Sequence, residues 1–194
     1  MAHPITQPPA PPGLQGPAYA PFARFLHWAM FIAIGLQFVI GYAMERYDDL
    51  LEMPVDRWLG GEEENLLLFH GFLGVLILSM AVVRLLFRLT AGLPPWAATL
   101  TSTERRIAHW TEVVLYGLMF LIPLTGLALL FLSGEDWEAF GRELEAPYEL
   151  ADDDLLLAGH IATHLLFAVA FAAHLALILK HQFVNRDRLL RRMI

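Results

Sequence analysis

The chain has 194 residues, a hydrophobic fraction of 57%, a mean hydropathy of +0.51 and a formal net charge of -7. A water-soluble helical domain of this length would show periodic polar faces, and the apolar stretches here have little periodic polarity, which excludes that class. The absence of cysteine excludes disulfides, thiolate metal sites, Cys-ligated iron–sulfur clusters and covalent attachment through C-x-x-C-H, so imidazole remains as the metal ligand.

Residues 1–22 form a proline-rich tail, expected to be extended and cytoplasmic, with His3 solvated. Residues 23–194 read as one all-α integral membrane domain, a four-helix bundle spanning the bilayer at about residues 25–44, 66–87, 108–132 and 155–179. Phe25 to Met44 and Leu155 to Leu179 contain no charge, Leu66 to Phe87 contains only Arg84, and Ala108 to Leu132 only Glu112. Each is long enough to cross a hydrocarbon layer of roughly 30 Å as a helix.

Charge sets the expected orientation. Of the basic residues, only Arg46, Arg57 and Arg142 fall on the side of the first and third connections, and all others fall on the side of the termini. The positive-inside rule therefore puts both termini in the cytoplasm. Trp28, Trp96 and Trp110 mark the inner boundary, Trp58 and Trp137 the outer one. The acidic residues other than Glu104, Glu112 and Asp187 crowd the two outer loops, Glu45 to Glu64 and Gly134 to Asp154, including Glu62, Glu63, Glu64 and Asp152, Asp153, Asp154. The outer surface is expected to be anionic and the inner one cationic.

Histidines lie at matched depths in these spans. His160 and His174 are fourteen residues apart, so they leave one face of the last helix separated by about 21 Å along its axis. His70 opens the second span at the outer side and can meet His160; His27 opens the first at the inner side and can meet His174. Facing imidazoles inside an apolar bundle can hold haem b without a covalent bond. His164 is the rival for the outer site, but its angular offset from His174 is about 80° against about 40° for His160. A lone buried histidine can also do no more than bond a neighbouring backbone, whereas four pairing by depth point to ligation. His109 and His181 read as interfacial. Gly35, Gly41, Gly71, Gly74, Gly117, Gly126 and Gly159 allow close approach of helices or of a flat macrocycle, and Pro123 is expected to kink the third helix, its freed carbonyl needing a partner such as Thr125.

The run H-x3-H-x9-H-x5-K-H-Q-F-V-N-R-D-x-L-L-R-R-M from His160 to Met193 resembles the end of the prokaryotic cytochrome b561 family, and R-F-L-H-W from Arg24 to Trp28 its opening. The segments around His70, and Leu115 to Gly126 with its Pro-Leu-Thr-Gly, are similar to it as well. The resemblance covers nearly the whole chain after the tail. It implies two b haems with axial ligands His27, His70, His160 and His174, which agrees with the pairing by depth.

The expected function is transmembrane electron transfer between the quinone pool and a donor or acceptor at the periplasmic face of the bacterial inner membrane. The resemblance also covers superoxide oxidases that reduce quinone, and haem-bearing membrane anchors of hydrogenases and formate dehydrogenases. A transporter or haem-free metal-binding membrane protein is a further class. The acidic outer face would repel superoxide unless Arg46, Arg57 and Arg142 cluster at the outer haem; it suits a basic partner such as a c-type cytochrome. The lipid bilayer and quinone or quinol are the other expected partners, and no nucleic acid is. No catalytic residue is assigned beyond a proton relay through Glu112 and His109 for quinone chemistry. Arg24, Lys180 and His181 are expected near the inner haem's propionates.

Overall fold

The structure, a computed structural model, describes residues 16–50, 63–139 and 142–194. His3, Arg57, Trp58 and Glu62 lie outside them, and the side chains of Arg46, Glu63 and Glu64 are likewise not described. Four helices carry the fold: α1 Pro21–Leu50, α2 Glu63–Ala91, α3 Ser102–Leu132 and α4 Asp153–Leu179. Each contains a segment long and apolar enough to cross a bilayer, over Pro21–Met44, Leu66–Ala91, Ser102–Leu132 and Asp153–Val184. The 29 residues of α2 run about 43 Å at 1.5 Å per residue, so the helices project beyond the hydrocarbon layer.

Local chemistry sets the ends. Pro21 is the first residue of α1, a position where its missing N–H is no loss. The start of α3 falls six residues before the span expected from hydropathy, because Thr101 and Glu104 form a reciprocal cap: Thr101 Oγ1 accepts from Glu104 N at 3.3 Å while Thr101 N donates to Glu104 Oε2 at 2.8 Å. Arg105 and Arg106 therefore ride on the first turns of α3, not in a loop. The acidic run before α4 has a comparable task, with Asp152 as N-cap accepting from Leu155 N at 3.1 Å and Asp153 and Asp154 in the first turn, where the helix dipole favours negative charge.

Between α3 and α4 the expected acidic loop contains a small antiparallel hairpin, β1 Trp137–Ala139 and β2 Arg142–Leu144, with Trp137 opposite Leu144. Trp137 packs edge-on against Phe131 at the end of α3, 6.5 Å between ring centres, which fastens the hairpin to the bundle. Gly134, at φ +79°, makes the turn into it; a Cβ there would lie 2.7 Å from the Glu149 side chain.

The helices pack in sequence, α1 on α2, α2 on α3 and α3 on α4. α1 meets α4 through aromatic rings, Phe31 with Phe171 at 6.2 Å and Phe38 with Phe167 at 5.5 Å. Phe167 and Ala170 of α4 and Leu118 of α3 form the buried core, flanked by Ile34, Phe38, Leu115, Ile122 and Phe171. This apolar layer lies at mid-depth. The outer faces carry large exposed apolar residues such as Val39 (67%) and Val169 (72%), a surface that water would penalise and lipid tails solvate. The chain is a membrane four-helix bundle.

Both described termini lie on one side, designated the terminal side; the hairpin marks the opposite, loop side. Tyr19 N donates to Arg192 O at 3.0 Å and Arg192 Nε to Pro17 O at 3.0 Å, so the chain before α1 already packs on the C-terminal turn. After α4 a π-helical turn, Lys180–Val184, and a 3-10 turn, Leu189–Arg192, fold this end.

Candidate functional site

α1, α2 and α4 bring the four matched histidines together as two pairs. His27 of α1 faces His174 of α4 with ring centres 6.2 Å apart and planes at 58°. His70 of α2 faces His160 of α4 at 6.4 Å and 82°. A ligating imidazole nitrogen sits about 2 Å from a first-row metal and about 1 Å from its own ring centre, so two rings sharing one metal stand about 6 Å apart. Both separations fit a bis-imidazole metal centre, the kind that holds a b-type haem.

The loop-side pair is closely bracketed. A Cβ on Gly41 of α1 would come within 2.8 Å of His70 Cε1, and one on Gly126 of α3 within 3.2 Å of His160 Cε1, so bare backbone presses on both rings. Gln37 Nε2 donates to His70 O at 3.0 Å. His70 Nδ1 is buried with no partner. Thr125 Oγ1 lies 2.8 Å from Ile122 O and 2.9 Å from His160 Nδ1. A hydroxyl has one proton; given to Ile122 O, it leaves the oxygen to accept from His160 Nδ1–H, and Nε2 then keeps its lone pair for a metal. Thr125 thus serves the Ile122 carbonyl, not the Met119 carbonyl that Pro123 leaves without its N–H, and a histidine at once. His164, one turn on, has its ring centre 4.5 Å from that of His160 and is packed edge-on against Phe38 and Tyr42 of α1.

The terminal-side pair has charged surroundings. Arg84 of α2 gives Nε to Tyr116 Oη at 3.1 Å, places Nη2 3.4 Å from His27 Nδ1, and keeps Nη1 buried without a partner. Arg88, one turn further, pairs with both oxygens of Glu112, and both guanidiniums lie over the Tyr116 ring. A cavity lined by Tyr19, Leu26, Arg84, Arg88, Glu112 and Tyr116 opens here. In the sequence Arg84 stands out only as one of the basic residues on the side of the termini. The signal was its spacing: it follows His70 by fourteen residues, as His174 follows His160.

Other residues singled out in the sequence have partners within the chain. Lys180 Nζ bonds Glu104 Oε1 at 2.5 Å, and Arg24 Nη1 bonds Ile194 O at 2.5 Å. His181, expected at the interface, is fully buried, its Nδ1 2.5 Å from Asp187 Oδ2. Burial is the largest single influence and would raise the Asp187 carboxyl, but the hydrogen bonds to it, led by that of His181 and including Leu189 N, together outweigh burial and hold the group below the usual carboxylate range. Asp187 Oδ1 also accepts from Leu189 N, fixing a turn in which Arg186 and Arg188 take left-handed backbone at φ 53° and 62°. The Lys-His-Gln-Phe-Val-Asn-Arg-Asp segment therefore folds the tail. Exposed His109 packs on Trp110 at 5.6 Å, while the Glu112 carboxylate is engaged by Arg88. Arg142 lies on exposed β2.

Residues 18–194 match the model of the family described as Prokaryotic cytochrome b561. Over 180 residues the chain is 27% identical to "Cytochrome b562" of Cereibacter sphaeroides, covering 93% of this chain and 97% of that one. It is 26% identical to "Cytochrome b561 homolog 2" of Escherichia coli, covering 91% and 90%. It is 29% identical over 131 residues to "Probable superoxide oxidase CybB" of Yersinia pestis, covering 66% and 73%.

Proposed function

The chain belongs to the prokaryotic cytochrome b561 family and is a membrane b-type cytochrome of electron transfer; from that premise we propose that it holds two b haems, one above the other, and carries electrons across the bacterial inner membrane between the quinone pool and a redox partner at the periplasmic loop side. The observation that carries this reading is the pair of imidazole separations, 6.2 Å and 6.4 Å, on a helix that spaces them by fourteen residues.

Bound haem supplies a one-electron carrier at each level. His27 with His174 and His70 with His160 would each hold one haem. Thr125 fixes the His160 tautomer, and the Gly41 and Gly126 backbones confine the two loop-side rings. The layer of Phe38, Leu118, Phe167 and Phe171 excludes water between the levels. With the basic terminal side in the cytoplasm, quinone would be met from the membrane there, and the loop side would meet the soluble partner.

The loop side also bears on the choice of partner. Its described exposed residues include Glu135, Asp136, Glu143, Glu145, Glu149 and Asp152 to Asp154, with Arg142 as the one described basic residue. Such a surface attracts a cationic protein and repels superoxide. The similarity to "Probable superoxide oxidase CybB" keeps superoxide oxidation as the second reading.

The test is haem per protein together with a reduced-minus-oxidised visible spectrum. The wild type should carry about two haems, and His174→Ala about one, since a site missing one imidazole binds weakly. His160→Ala should lose the other, and His164→Ala neither. Two haems in His174→Ala, with unchanged spectra, would disprove the pairing.

A further inference from the structure

We propose that Arg84, buttressed by Tyr116, is the seat of a haem propionate carboxylate at the terminal-side pair; this rests on the two-haem reading above. The argument begins with an excess of donors. Arg84 has one acceptor among its described contacts, the Tyr116 hydroxyl at 3.1 Å, while Nη1 is buried with none. Its Nη2 faces His27 Nδ1 at 3.4 Å. A histidine that meets iron through Nε2 carries its proton on Nδ1, so in the loaded protein that contact sets donor against donor. The guanidinium then needs an acceptor with several lone pairs beside the His27 ring.

Charge narrows what that acceptor is. Arg88 lines the same cavity but is neutralised by both oxygens of Glu112. Among the described residues no carboxylate pairs with Arg84, so the cavity retains one unbalanced cation inside a membrane span, where an uncompensated charge is costly. A monoanion of planar, bidentate shape balances it, and the Arg fork matches a carboxylate. A neutral quinone headgroup would accept a hydrogen bond but leave the charge. Haem b brings its own carboxylates to the place where His27 and His174 hold its iron. Of the other basic groups near this level, Lys180 is held by Glu104 and His181 by Asp187, while Arg24, bonded to Ile194 O, does not line this cavity. The position of Arg84 on α2 agrees, since fourteen residues after His70 place it at the depth that His174 has on α4.

The experiment uses the full chain loaded with haem carrying carbon-13 at its propionate carboxyls. It combines redox-difference infrared spectra, spectroelectrochemistry and haem counts for the wild type, Arg84→Gln and Arg84→Lys. In Arg84→Gln one midpoint should fall by about 60 mV, a tenfold shift in a one-electron equilibrium, because the unpaired carboxylate favours ferric iron. It should be the midpoint that disappears in His174→Ala, the other staying in place, and the labelled carboxylate bands should move. Arg84→Lys keeps the charge but loses the fork, so its midpoint should stay within about 30 mV, a threefold shift in that equilibrium, while the bands still move. If Arg84→Gln loses the terminal-side haem or does not accumulate, Arg84→Lys decides by the same bands. Labelled bands that match the wild type in every variant holding two haems overturn the proposal, and altered quinone reduction with unmoved bands gives the cavity to quinone instead. A wild type lacking the terminal-side haem removes the premise as well, and the haem count tells that failure from the first.

Discussion

The two histidine pairs use the same device in different settings. At the loop side His70 and His160 are held by neutral groups and bare backbone, with Gly41 and Gly126 against the rings and Thr125 on a ring nitrogen. At the terminal side His27 sits beside Arg84, which shares a cavity with the Arg88–Glu112 ion pair. Packing precision specifies the first and charge the second. Steric and hydrogen-bond changes should therefore act at one level, charge changes at the other.

The largest effect should come from Gly41→Ala. A Cβ 2.8 Å from His70 Cε1 forces the ring to move. A free side chain can do so at little cost, but one anchored to iron cannot. We expect most of the loop-side haem to be lost, with helix content and the terminal-side haem kept, measured by haem per protein and circular dichroism. Gly126→Ala, at 3.2 Å, should do the same more weakly. An equal loss at both levels would break the contrast.

Thr125→Val keeps the shape and removes the partner of His160 Nδ1, and second-shell changes of this kind weaken a metal site by about 10- to 100-fold. Haem titration should show that weakening at the loop side only, with recovery in Thr125→Ser. If Thr125→Val binds both haems as the wild type does, the tautomer argument fails.

Asp187→Asn should leave both haems in place and lower stability by about 1–3 kcal/mol, since it weakens a buried charge-assisted hydrogen bond to His181. The pH dependence follows from the depressed carboxyl. Its contribution is present above the ordinary carboxylate range and is lost as pH falls through the lower folded value, so the gap between wild type and variant should close in acid. Thermal unfolding in detergent across that range is the measurement.

The smallest effect concerns the loop surface. Electron exchange with a cationic cytochrome should slow a few-fold as ionic strength rises to 0.1 M, where charges are screened beyond about 10 Å. Glu143→Gln with Glu145→Gln should flatten that dependence without changing either haem. A salt-independent wild-type rate would argue against an electrostatic partner.

Length and apolarity in the sequence were enough to specify four spans, because a bilayer demands continuous helices of a certain length whatever their neighbours do. The fourteen-residue interval between His160 and His174 fixed two levels, and depth alone paired His27 and His70 with them, since one rise per residue holds in any straight helix. The resemblance carried by the motif from His160 to Met193 pointed to the family, but not to what each of its residues does. From the sequence Lys180 and His181 are expected near the inner haem's propionates; in the structure Lys180 bonds Glu104, far away in sequence, and His181 bonds Asp187, which only the folded tail brings against it. Arg84 looked like a charge at a helix end. Only packing set it beside His27 with a donor unmet, and only packing placed Thr125 on His160. Contacts between helices depend on rotation about each axis and on which small residues let backbones approach, and neither is written in the hydropathy of a single segment.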